Sequence, residues 1–488
     1  MMPIRANRLF IFTGASLLAL LPAAGSSQQT VQAISAADKQ EGAKVHPQLL
    51  AEFGGVVTGP QAKYVESVGK GIAVQSGLGN AKSDFTVTLL NSPVNNAFAI
   101  PGGYVYTTRQ LTALMNNEAE LAGVLGHEIG HVAAEHGKKR QSAANQNALL
   151  GALGTILSGV LLGDSALGQL AQKVTSQGSQ LLTLRYSRKQ ETEADTLGVL
   201  YLKRAGYDPR AMSTVLQSLA NQTALDARIQ GTGDRVPEWA STHPDPASRV
   251  REALKQAGTV GKAVTNRDAF LNGINGVMVG DDPKQGMIEG RKFTHPDMRL
   301  AFEAPAGFYL VNGTQAVTIG GQSGKGEFTT QPYSGNLETY INAVLAGLTE
   351  QGQTALKAES VKTTTVNGIP AAYGGVRVNA SSGTVDVLVF AYEFAPNQAF
   401  HFLTIAQPGG SSVFAPMFQS LRRIDAAEAG KVKARKLQVV TVKSGDTLQS
   451  LAARMAYTDY QMDRLLVLNG LAAGAKLVPG QRVKLVVY

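Results

Sequence analysis

The sequence predicts a multidomain α+β protein: a mainly helical first domain with a small edge-strand sheet, an α+β accessory domain, and a compact βααβ module at the C-terminal end. Three observations predict it. At 488 residues the chain exceeds what one hydrophobic core usually supports, so two to four domains are expected. Helical periodicity dominates to about residue 256, and beyond residue 264 it gives way to runs rich in Gly, Thr and Val. Residues 437–488 then carry strand signals at both ends with two short helical stretches between them. With 44% hydrophobic and 17% charged residues, the composition is that of a globular protein, which argues against disorder and against a multi-span membrane protein.

The N-terminus reads as a secretory leader over residues 1–24. Arg5 and Arg8 precede an apolar run from Leu9 to Leu21, and small residues follow. That run is too short for the roughly 20 residues that span a bilayer. The chain has no cysteine, which excludes disulfides, thiolate metal sites and catalytic thiols. Any metal must therefore be held by His and carboxylates. The net charge of +9 is spread along the chain without a dense basic run, so nucleic acid is not an expected partner.

The first domain, expected over residues 35–256, holds the chemistry. Asn117 with Glu120 three residues on marks a helix start, and Gly137 marks a stop. Between them His127 and His131 stand at i and i+4 in H-E-I-G-H, one turn apart on one face, so both imidazoles reach one ion. Glu128 is placed to take a proton from an attacking water without itself being a ligand, and Zn²⁺ in such a site lowers the pKa of water towards ~7. A helix carrying two surface histidines is disfavoured, because Val124, Leu125, Ile129 and Val132 mark this helix as buried. A catalytic zinc needs a third protein ligand and an open position. A second helix, opening on Ser187–Gln190 and stopping near Gly206, carries Glu191 and Asp195 on the face of Gly198 and Leu202. Two carboxylates facing a core call for a cation. Glu193 points elsewhere and reads as solvated.

H-E-I-G-H at 127–131, followed by Y-S-R-K-Q-E-T-E-A-D at 186–195 and Gly198, resembles the HtpX/Oma-type zinc metallopeptidases, which are gluzincins. N-A-F-A-I-P-G-G-Y at 96–104 and W-A-S-T-H-P-D-P-A-S-R at 239–249 match as well, and the resemblance covers about residues 35–255. It implies Glu191 as third zinc ligand and Asp195 as the group orienting a ligand histidine. Without transmembrane spans the chain looks like the soluble, periplasmic BepA-like branch. The implied function is an exported zinc endopeptidase acting on misfolded or assembling envelope proteins. The rival is a chaperone-like or cell-wall-associated assembly factor with an autoinhibited zinc site.

Several residues keep two readings. The stretch from Asn96 to Tyr106 is a strand after a Gly102–Gly103 turn, either an ordinary one or, as the resemblance implies, an edge that pairs with substrate backbone. The resemblance brings His243 near the active site, either as donor to a developing oxyanion or as a ligand that holds the enzyme shut. Arg249 either stabilises the oxyanion or braces its loop, and Tyr186 is a further donor candidate. His136 lies off the ligand face as a supporting residue, while His46, His295 and His401 show no partner in the sequence. The apolar run from Leu149 to Gly163 is a buried helix or a membrane-touching lid.

Residues 264–424 read as an accessory α+β domain without a catalytic cluster, faintly like a PsbP/Mog-type sandwich. A charged linker from Asp425 to Lys436 follows. V-T-V-K-S-G-D-T-L-Q-S-L-A, L-L-V-L-N-G-L and L-V-P-G-Q-R-V-K-L then resemble a LysM module. That implies a tether for glycans such as peptidoglycan, with a purely structural role as the alternative.

Overall fold

The computed structural model describes residues 32–141, 186–230, 243, 246–349, 354–380 and 383–488. The expected leader at 1–24, the apolar run from Leu149 to Gly163 and Trp239 lie outside them. Among the described residues no helix is long and apolar enough to cross a membrane.

The first domain opens with α1 (Ala36–Glu52), α2 (Pro60–Ala73) and α3 (Ala81–Asp84). A three-stranded sheet follows, β1 (Thr86–Leu90), β2 (Ala97–Ile100) and β3 (Tyr104–Thr108), in the order β1-β3-β2. The β2–β3 turn uses Gly102 and Gly103 at φ 90° and 83°, and a Cβ on Gly102 would stand 2.7 Å from the Asp38 carbonyl. Only glycine fits there. The expected edge strand is therefore β2. Its four residues are nonetheless buried, because α1 closes on Phe98 and Ile100 while Ala97 and Ala99 face the main core.

From β3 the chain passes into α4 (Arg109–Leu114), α5 (Glu118–Ala133) and α6 (His136–Gln141), and later into α7 (Arg188–Arg204), α8 (Ala211–Gln230) and α9 (Pro246–Ala257). Asn117 caps α5 through Glu120 N, but the Glu120 carboxylate reaches back to Asn116 N at 2.7 Å, so the expected reciprocal cap is only half formed. The stop also differs: α5 ends at Ala133, and Glu135, not Gly137, takes the left-handed turn at φ 51°. The Ser187–Gln190 capping box of α7 forms as expected. Helices α5 and α7 meet through small residues. A Cβ on Gly126 would lie 3.5 Å from Gly198 Cα, and one on Gly130 would lie 3.2 Å from the Ala194 carbonyl.

The segment expected to begin the accessory domain packs elsewhere. Helix α10 (Arg267–Ile274) and strand β4 (Met278–Val279) put Phe270, Leu271, Ile274, Val277 and Val279 into the first domain's core. Only then does the accessory fold begin, with β5 (Met287–Glu289), β6 (Lys292–His295) and β7 (Leu300–Glu303). A larger sheet follows: β8 (Phe308–Asn312), β9 (Val317–Gly321), β10 (Gly324–Thr330), β11 (Val361–Val366), β12 (Ile369–Ala380), β13 (Gly383–Ala395) and β14 (Gln398–Ala406). Its order is β11-β12-β13-β14-β10-β9-β8, all antiparallel. Alternate residues of β13 serve opposite faces, as a period of two demands. Val387 and Val389 meet helix α11 (Leu337–Ala346), while Phe390 and Tyr392 face the small sheet and helix α12 (Ala415–Ser420).

Strand β15 (Arg422–Arg423) joins the small sheet, and a short helix α13 (Ala426–Ala429) sits where a linker was expected. The C-terminal module is the expected βααβ: β16 (Arg435–Thr441), α14 (Leu448–Ala452), α15 (Gln461–Asn469) and β17 (Arg482–Val487). It is no free tether. Strand β4 pairs with β16, and Leu437, Leu451, Leu465, Val483 and Leu485 share one continuous core with α2, α5 and α8.

Candidate metal centre

The sequence places His127, Glu128 and His131 on α5, and Glu191 and Asp195 on α7. The glycine contacts between these helices bring their side chains into one buried space. His127, His131, Glu191 and His243 each offer a ligand atom, and these atoms all lie within 4.8 Å of one another. All four residues are at most 4% exposed.

The spacing fits a single ion. His127 Nε2 lies 3.0 Å from His131 Nε2 and 3.3 Å from His243 Nδ1. The Glu191 oxygens lie 3.0 and 3.1 Å from His243 Nδ1, 3.4 Å from His131 Nε2 and 3.6 Å from His127 Nε2. Four donors around an ion with ~2.1 Å bonds sit about 3.4 Å apart along each tetrahedral edge.

Proton bookkeeping gives the same answer. His127 Nδ1 stands 2.8 Å from Asp195 Oδ1, so its N–H donates there and its Nε2 turns a lone pair inward. His131 Nδ1 stands 2.8 Å from His136 Nδ1, and His136 Nε2 faces Glu193 at 3.3 Å. With His136 donating to Glu193, His131 donates to His136 and likewise presents an Nε2 lone pair. Two lone pairs and a carboxylate at this range repel one another unless a cation stands between them. The residues present therefore fit a metal ion.

Arg249, on α9, braces the carboxylates from outside. Its Nε and Nη2 donate to the two Asp195 oxygens at 2.7 Å each, and its Nη1 lies 2.6 Å from Glu191 Oε2. In this arrangement these contacts run to the two carboxylates. Tyr186 stacks on His131 with ring centroids 3.6 Å apart, fixing the imidazole plane. Glu128 Oε2 is buried with no hydrogen-bond partner among the described residues, and Oε1 lies 3.6 Å from His243 Nε2.

The electrostatics follow from burial and charge. Burial raises the Glu128 carboxyl above its ordinary range. Burial holds His131 well below its usual value, keeping it neutral as a ligand must be. Burial opposes ionisation of Asp195, yet the Arg249 guanidinium outweighs it and takes the carboxyl down to about 2. The same contest at Glu191 is won by the imidazoles, His243 first. Burial disfavours charge on His243, but Glu191 and Glu128 raise it.

The sequence reading missed the relay from Glu193 through His136 to His131. Its signal was hidden because the turn that swings His136 back is left-handed at a glutamate. It also found no partners for His46, His295 and His401, which meet the Tyr106 hydroxyl at 2.7 Å, Met298 N at 3.2 Å and the Tyr340 hydroxyl at 2.9 Å. The partners of His46 and His401 come from distant elements, that of His295 from three residues on, and all three lie outside the centre. Beside His131 and Tyr186 runs a mostly apolar groove, walled by Ile34, Leu78, Ala99 and Ile100.

Two helices that cross on small residues and offer an H-E-x-x-H pair and a carboxylate define a helical metal-site domain of the metallopeptidase type. Residues 60–257 match the family model Peptidase family M48, and residues 440–486 match the LysM domain model, so the chain carries a peptidase family M48 domain and a LysM domain. It is 33% identical over 214 residues to the "Beta-barrel assembly-enhancing protease" of Escherichia coli (strain K12), covering 43% of this chain and 42% of that one. It is 30% identical over 218 residues to the "Mitochondrial metalloendopeptidase OMA1" of Schizosaccharomyces pombe, covering 44% and 59%. With the human "Metalloendopeptidase OMA1, mitochondrial" it shares 28% over 173 residues, covering 35% and 32%. The similarity thus spans about two fifths of the length of the bacterial relative.

Proposed function

We propose that this protein is a zinc-dependent endopeptidase, with zinc held by His127, His131 and Glu191 and Glu128 as general base. The observation that carries the proposal is the buried cluster of four donors, with the His127 and His131 imidazoles each backed by a hydrogen-bonded partner. Zinc bound there supplies a Lewis acid and a means of acidifying water at neutral pH. The chain's own residues do the rest. Asp195 and the His136–Glu193 relay hold the imidazole protons outward, so both Nε2 atoms stay available. Arg249 fixes Asp195 and Glu191. Glu128, kept proton-hungry by burial, takes the proton from the attacking water and returns it to the leaving amine. Strand β2 and the adjoining groove offer the substrate a backbone edge and an apolar wall.

His243 supports a second element of the reading. Its Nδ1 stands among the ligand atoms, where an open zinc keeps its fourth position for substrate. In this arrangement His243 acts as a fourth ligand that keeps the enzyme shut, and it must withdraw before cleavage. The leader-like N-terminus and the LysM domain support export to the periplasm or cell wall, and the bacterial relative's name, an assembly-enhancing protease, supports a role in envelope protein quality control or assembly, with misfolded or assembling polypeptides as substrates. The LysM domain supports contact with peptidoglycan.

The test is degradation of casein by the full chain. Activity is expected with zinc and lost on chelation. It should fall about 10²–10⁴-fold in Glu128→Gln while bound zinc stays at one per chain, the range a general base contributes. His243→Ala should raise activity, and a fall would assign that residue to the reaction itself. A folded wild-type chain that takes up zinc and cleaves nothing under these conditions would leave the assembly-factor reading standing.

A further inference from the structure

Lys484, on β17 of the C-terminal module, is fully buried, yet its ammonium does not meet a carboxylate directly. It donates to the carbonyls of Ala113, Leu114 and Met115 at 2.8, 3.1 and 2.5 Å. These are the last two carbonyls of α4 and that of its C-cap Met115, groups that a helix end leaves without internal partners. Three acceptors within reach of one nitrogen can take up every N–H the amine offers.

The place is the joint between two walls of the cleft. Helix α4 leaves the sheet that carries β2, and after Met115–Asn117 the chain turns into α5, which carries His127, Glu128 and His131. Every other contact at this joint also tightens it. The Glu120 carboxylate accepts from Asn116 N at 2.7 Å and from the Thr214 hydroxyl at 2.6 Å. Arg267 donates to the Asn116 carbonyl at 2.6 Å and, with its other arm, to the Arg482 carbonyl of β17 at 2.9 Å. Asn469, at the end of α15, locks the Lys484 backbone, accepting from its N–H at 2.7 Å and donating to its carbonyl at 2.9 Å.

We propose that Lys484 is a positioning residue: reaching out of the LysM domain, it sets the angle of the α4–α5 joint and thereby the position of the metal helix against the substrate edge. The module is then a working part of the peptidase rather than an appendage. The inference rests on the metal reading above but is measured separately from it.

The experiment compares full-length wild type, Lys484→Met and the control Thr447→Ala, which removes the exposed N-cap of α14 away from the joint. Zinc affinity is read by competition with a chromophoric chelator, amide exchange over residues 115–133 by mass spectrometry, and kcat and KM on a casein-derived peptide. Lys484→Met is expected to speed exchange at the start of α5 at least tenfold, to weaken zinc binding several-fold and to lower kcat more than it raises KM. Thr447→Ala should leave exchange over 115–133 and zinc affinity at wild-type values. Should Lys484→Met fail to fold, Asn469→Ala keeps the ammonium and loosens only its strand, and faster exchange over 115–121 is expected there. Wild-type exchange and zinc affinity in the folded Lys484 variant, or equal changes in the control, would overturn the inference. If the wild type bound no zinc, the metal reading would fall and the exchange comparison would still decide the joint.

Discussion

At the scale of single residues, the centre depends less on the groups that face the metal position than on those that hold their protons. His127 can present Nε2 only because Asp195 takes the proton on Nδ1, and Asp195 can stay ionised in the core only because Arg249 grips both its oxygens. Breaking such a buried pair costs about 3–5 kcal/mol, because an uncompensated charge remains. Asp195→Asn keeps the shape but lets the amide offer a proton where an acceptor is needed. It is expected to weaken zinc binding by about 10–100-fold while the far-ultraviolet dichroism stays unchanged, measured by chelator competition. The sequence showed the five residues on α5 and α7 clearly, since i, i+4 spacing is a property of any helix. It could not show that Arg249 is a brace or that Glu193 reaches His136. Those contacts depend on where α9 and the Glu135 turn come to rest.

At the scale of elements, close approach is what builds the site. Gly198 faces His127 N, and a Cβ there would lie 3.2 Å from it and 2.6 Å from Met212 Cε. The run of Gly126, Gly130 and Gly198 thus has one purpose, to let α7 lie against α5 so that Glu191 reaches the imidazoles. In the accessory sheet a different element stores a liability. Glu327 on β10 is buried on the sheet face that α11 covers only in part, and burial lifts its carboxyl from the ordinary 4.5 to about 8. Between those values the unfolded chain releases a proton that the folded chain keeps, so stability falls as pH rises through this window and is fully regained below it. The loss is on the order of a few kcal/mol. Glu327→Gln should match wild type below pH 4.5 and exceed its melting temperature at pH 8, which thermal unfolding at the two pH values measures. Strand alternation made this sheet legible from the pattern in Thr384–Phe390 and Phe400–Ile405. The seven-strand order was not legible, because pairing partners depend on long-range register.

At the scale of the whole molecule, the surprise is where the domains join. Residues 267–279 and the C-terminal module close over the first domain's core, and the two-sheet accessory fold is an insertion between them. A cooperative unit is defined by shared core, so the first domain and the LysM domain are expected to melt in one transition with the accessory sheets separate. Differential scanning calorimetry of the full chain should resolve two transitions. A truncation removing residues 435–488 should abolish the one that contains the metal centre, and a module that melted alone would contradict this.

Local rules governed what could be read directly: helix spacing put His127 and His131 on one face with Glu128 beside them, Glu191 with Asp195 on another, and turn residues announced the βααβ module. Such patterns act over a few residues and survive any packing. The convergence of the two faces, the intrusion of His243, the bracing by Arg249 and the docking of Lys484 onto α4 were decided by tertiary structure. Each joins residues from roughly 50 to several hundred positions apart, and the energy that selects those meetings comes from burying a common core, which no local pattern records.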